Sequence, residues 1–182
     1  MMTSRRMRPA LAVPTALACF WIGGAAAVRG QGPGPAAAPT TMGQLARLTP
    51  EQLDALYRRS GPAAAPGGRV RGRALLAPGT ALAGPISAGS RLFWQGKTFH
   101  AEDATAINHF FGVPIIRGRV YPGPSWLDGR PSLILDYQGT SRLYAKYRDE
   151  IRRVGPDLYL GLMYDRTTAP PANRMYFAFQ PR

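Results

Sequence analysis

Apolar and polar positions change their rhythm along this chain, and the change divides it into segments. From residue 69 the alternation is strict: Arg69, Arg71 and Arg73 interleave with Val70, Gly72 and Ala74. A strand therefore carries three guanidinium groups on one face and small residues on the other. Further strands are predicted at 92–99, 115–121, 131–137, 149–154, 158–165 and 174–180. Most are bounded by turn-forming stretches such as Pro122-Gly123-Pro124, Asp128-Gly129 and Gly155-Pro156-Asp157. Seven short strands within one segment predict a mainly β, antiparallel meander that closes into a small barrel or half-barrel.

Helical signals precede and interrupt this pattern. Thr49 and Gln52 form a capping box, Pro50 takes the first helical position, and Leu53, Leu56 and Tyr57 share one face before Gly61-Pro62 ends the helix. Two short helices are predicted at 102–111 and 141–148, the second equally able to extend the strand after it. Residues 28–47, rich in Gly, Pro and Ala, read as a flexible linker. The domain proper is expected over 48–182.

The N-terminus reads as a secretory leader over 1–27: Arg5, Arg6 and Arg8, an apolar run, then Ala25-Ala26-Ala27. Arg5-Arg6 match a twin-arginine leader only weakly, and Cys19 lacks the flanking residues of a lipoprotein site. An uncleaved membrane-anchoring helix is the alternative. Export, periplasmic or secreted, is the expected location.

Composition then qualifies the charge. The formal +13 falls to +10 without the leader, and 21 of the 23 basic residues are Arg. Arg142 to Arg148 mixes cations with aromatics as a single-strand nucleic-acid platform would, but no recognition motif accompanies it and an exported protein seldom meets nucleic acid. An anionic envelope surface is the better partner for such charge. One cysteine excludes a disulfide framework and multi-cysteine metal sites.

Three blocks carry a family resemblance. Gly68-Arg69-Val70-Arg71-Gly72 resembles the Gly-x-Trp-x-Gly signature of the GXWXG-domain proteins, and Trp94-Gln95-Gly96-Lys97-Thr98-Phe99 resembles their Trp-x-Gly-Lys-x-Phe block. Residues 133–137, 149–154 and 158–163 are similar to that family's C-terminal strands. Val70 stands where the signature has Trp, so the space of that indole must be filled differently. The resemblance implies a lipocalin-like barrel and no particular activity.

Catalytic chemistry finds little support. His100 and His109 fall in no metal-binding spacing, no Gly-x-Ser-x-Gly elbow occurs, and the adjacent acids Glu102-Asp103 and Asp149-Glu150 point to opposite strand faces. No enzyme, metal or cofactor is expected. Asp136 ends an apolar strand and needs a partner such as Arg117, Arg119 or Arg152. The aromatic surplus favours a barrel that binds a small apolar or anionic amphiphilic molecule. The expected ligand-binding residues are Trp94, Phe99, Arg117, Arg119, Trp126, Asp136, Tyr137 and Tyr159. A non-catalytic envelope module that binds a polyanion or protein through an arginine-rich face is the alternative.

Overall fold

The computed structural model describes residues 38–182; the leader expected over 1–27 and the first ten residues of the expected linker lie outside the described residues. Helix α1 (Met42–Leu45) is followed by α2 (Pro50–Arg59) and a two-residue strand, β1 (Gly61–Pro62). The barrel strands follow: β2 (Gly68–Leu75), β3 (Trp94–His100), β4 (Thr105–Phe110) and β5 (Val113–Pro124). After them come β6 (Pro131–Asp136), β7 (Tyr147–Gly155), β8 (Leu158–Asp165) and β9 (Ala172–Pro181). Each of these eight pairs antiparallel with the next, and β9 closes on β2, so the meander is a complete lipocalin-like barrel. β1 adds a ninth strand outside it, beside β7.

The capping signals set α2 as expected, since the Thr49 hydroxyl accepts from Gln52 N and the Gln52 side chain accepts from Thr49 N. Residues 41–45 depart from the linker reading. Thr41 and Gln44 form a second capping box, and Met42, Leu45 and Ala46 are buried. A four-residue helix is marginal alone, so docking holds it. Both helices bury their apolar faces against the outer side of the sheet, in a cluster that contains Leu53, Leu56, Tyr57, Leu158, Leu160, Leu162 and Tyr164.

The helix expected at 102–111 is a strand. Ala104 turns the chain through the left-handed region at φ 50°, after which Thr105 and Ile107 suit β-structure and both edges of β4 find partners. Residues 142–146 are turns that lead into β7, so the helix at 141–148 is absent. A third helix, α3 (Ala83–Gly89), and a 3-10 turn (Ser90–Leu92) fill the β2–β3 connection, where the pattern shows no apolar periodicity. Serine hydroxyls pin this connection: Ser87 and Ser90 accept from the backbone N–H groups of Leu76 and Ala74. Those donors lie beyond the point where β3 pairs with β2.

The second apolar cluster is the lumen. At one end Phe179 stacks on Tyr159 at 4.8 Å between ring centres and meets Phe99 at 5.7 Å, which fills that half with rings. At the other end the filling is incomplete.

Candidate functional site

A cavity of about 160 Å³ occupies the open half of the lumen. Trp94, Phe110, Tyr144, Met163, Met175 and Phe177 form its apolar wall, and Lys97, Asn108, Tyr137 and Asp149 its polar floor. Volume decides what fits: an apolar cavity of about 150 Å³ accepts benzene. The space suits one ring or a short branched chain.

The floor is a hydrogen-bonded knot. Lys97 Nζ donates to Asn108 Oδ1 at 2.6 Å, Asp149 Oδ2 at 2.9 Å and the Tyr137 hydroxyl at 3.1 Å. Tyr137 donates to Asp149 Oδ2 at 2.7 Å and accepts from Asn108 Nδ2 at 2.9 Å. Trp94 Nε1 donates to Asn108 Oδ1 at 3.1 Å. Three acceptors around Nζ engage all three protons of an ammonium, so geometry supports the charged pair. Lys97 and Asp149 are each only 2% exposed. Burial pushes the Lys97 ammonium down from the ordinary lysine value, opposed by Asp149, and pushes the Tyr137 hydroxyl well up, reinforced by Asp149. One atom is left over. Asp149 Oδ1 is buried without a partner.

Close backbone approach makes room for this wall. A Cβ on Gly72 would lie 2.6 Å from Gly96 Cα and 2.7 Å from the Trp94 ring, so β2 lets the indole lie across it only where no side chain exists. Gly96, at φ +119° beside a bulge in β3, approaches β2 from the other side. Val70 is buried in the lumen cluster.

The expected site residues divide into three groups. Trp94 and Tyr137 line the cavity. Phe99 and Tyr159 face the lumen but belong to the filled half. Arg117, Arg119, Trp126 and Asp136 lie elsewhere. Ile116 and Gly118 take the inner face of β5, so Arg117 and Arg119 turn outward; Arg117 pairs with Asp103 at 3.1 Å, and Arg119 reaches the Gln138 carbonyl. Trp126 lies outside, under the Arg148 guanidinium at 4.2 Å and edge-on to Tyr164.

Asp136 has a structural role, with partners other than those expected. Arg166 pairs with it, while Tyr121 donates at 2.9 Å and Gln138 N at 2.9 Å. Arg152 goes to Asp128 through two bonds of 2.8 and 2.7 Å and also donates to the Tyr57 carbonyl and Ser132 hydroxyl. That fully buried guanidinium ties β7 to α2 and to the β5–β6 loop.

His100 is half exposed against Glu102. His109 faces out of the barrel and bonds Thr98 at 2.8 Å; burial, then Arg69 and Arg182, pull it below the ordinary histidine value. Among the described residues no group of three His, Cys, Asp or Glu side chains converges.

Lys97, Asn108 and Asp149 are absent from the expected set, although phase would have found them. Lys97 is in phase with Phe99, Asn108 with Ala106, and Asp149 with Ile151, apolar residues that must face the core.

No family model and no curated protein matches the chain. Among solved structures it is similar to a protein from Thermomonospora curvata, with a TM-score of 0.50 and 20% identity over 75% of this chain and 89% of that one. The likeness at that identity is one of fold.

Proposed function

We propose that the barrel is a binding protein for a small, largely apolar molecule that bears a hydrogen-bond donor, exported through the 1–27 leader and related to the GXWXG-domain proteins. The observation that carries this reading is Asp149 Oδ1, an unpartnered carboxylate oxygen of a residue in the cavity's polar floor. A buried acceptor left unmatched is costly, and an N–H or O–H on a ligand relieves that cost. Of the two ligand types the sequence suggests, the apolar one fits better. Arg117 and Arg119 turn away from the lumen, and the donors of Lys97 are engaged, so among the described residues no cation of the lumen is free to meet an anionic head group. Apart from that oxygen the floor groups satisfy one another, which suits holding a ligand rather than turning one over.

Phenol and anisole test this, since they share a ring and differ in the donor. Titrations followed by tryptophan fluorescence are expected to give phenol an affinity about tenfold or more higher, the worth of one hydrogen bond to a charged group. Asp149→Asn removes that preference, and Met163→Phe, which fills the cavity, weakens both probes. Equal affinities in the unmodified chain, or binding of neither probe, would refute the proposal.

A further inference from the structure

The strand directions place four connections around the open end of the lumen: 76–93, 111–112, 137–146 and 166–171. None contains Asp or Glu, and they hold Arg91, Arg142, Lys146 and Arg166. Acids in barrel connections occur only at the opposite end, as Glu102, Asp103, Asp128 and Asp157. Arg166 is committed to Asp136, whereas Arg91, Arg142 and Lys146 form no ion pair among the described residues.

Apolar side chains concentrate at the same end. The three most exposed large ones among the described residues are Leu92 at 80%, Phe111 at 76% and Leu143 at 75%, each on a different one of these connections. Water disfavours such a cluster, and a monomer seldom exposes one without use. Phe111 also holds the left-handed conformation at φ 51°, the first position of a two-residue hairpin turn with Gly112. A bulky side chain is unusual there. The turn is braced from below, because Phe111 N donates to the Phe93 carbonyl and Gly112 N to the Gln95 side chain.

We propose that this end of the barrel docks on an anionic lipid bilayer, with Leu92, Phe111 and Leu143 entering the interface and Arg91, Arg142 and Lys146 meeting lipid phosphates. Apolar tips set among unpaired cations match that surface, as apolar area and basic charge both favour an anionic interface. Docking brings the cavity opening to the membrane, a source of apolar molecules.

The test attaches an environment-sensitive fluorophore to Leu143→Cys or Asp157→Cys in a full-length Cys19→Ser chain. Vesicles of phosphatidylcholine with or without about one third phosphatidylglycerol are then added. The expected result is a blue shift at 143 and none at 157, on anionic vesicles alone. Replacing Arg91, Arg142 and Lys146 by Gln lowers partitioning about fivefold per cation. Leu92→Ser with Phe111→Ser abolishes the shift while the melting temperature holds. Equal shifts at both positions, which the N-terminal segment would cause by itself, overturn the proposal. So does the absence of a shift, or a shift that follows protein concentration without vesicles, the mark of a second copy on this face.

Discussion

Removing the cation from the cavity floor is the most informative perturbation. At 2.9 Å, with both partners 2% exposed, Lys97 and Asp149 attract by about 6 kcal/mol at an effective dielectric constant near 20. Desolvation of the two ions offsets most of that gain, so the intact pair contributes little net stability. Lys97→Met breaks this balance. The thioether chain keeps most of the volume, but Asp149 retains its charge with only Tyr137 donating to it. An uncompensated buried charge costs about 3–5 kcal/mol. For a domain of this size the melting temperature should fall by roughly 10–15 °C. Lys97→Met with Asp149→Leu removes both charges and should recover to within about 2 kcal/mol of the parent, the residue being the acceptor that Tyr137 loses. Urea unfolding of the four chains in the cycle measures the coupling. A single-variant cost below about 1 kcal/mol, or a double variant as unstable as the sum of the singles, would refute the charged-pair reading.

Other outcomes follow from the same packing. Arg152→Lys should destabilise by about 3 kcal/mol or more in urea, since an ammonium cannot supply the paired bonds to Asp128 together with those to Tyr57 and Ser132. Gly72→Ala should cost about 1–3 kcal/mol and alter Trp94 emission, because its Cβ overlaps the indole and Gly96. Tyr57, Tyr121, Tyr137, Tyr144, Tyr164 and Tyr176 all have their ionisation pushed above the ordinary value near 10, chiefly by burial. A hydroxyl raised in the folded state gives stability that is complete below the unfolded value and lost as pH climbs through the folded one. Stability should therefore fall above pH 10, and absorbance at 295 nm should show most of the eight tyrosines titrating late, together with unfolding.

The barrel was legible in the sequence because period-2 patterns survive without context. Arg69, Arg71 and Arg73 lie outside Val70, Gly72 and Ala74 as their alternation requires, and β8 places Leu158, Leu160 and Leu162 opposite Tyr159. Alternation separates two faces without naming the inner one, and for that reason Arg117 and Arg119 were expected at the ligand. β4 was hidden because Glu102-Asp103 resembles the acidic start of a helix, and only pairing with β3 and β5 makes it a strand. The floor was missed, although its phase was readable, for a different reason. Lys97, Asn108 and Asp149 come from three strands, and a single lysine or aspartate in a strand ordinarily faces water. Asp149 and Glu150 do point to opposite faces, one into the lumen and the other to Ser125 and Trp126.

The most direct test of lumen binding uses the indole N–H resonances of Trp94 and Trp126. Trp94 Nε1 is bonded to Asn108 in the cavity, whereas Trp126 lies outside the barrel. Titration with phenol should move the Trp94 signal along a saturating curve and leave Trp126 in place. A Trp94 signal that stays still, or that moves together with Trp126 without saturation, would contradict a ligand site in the barrel.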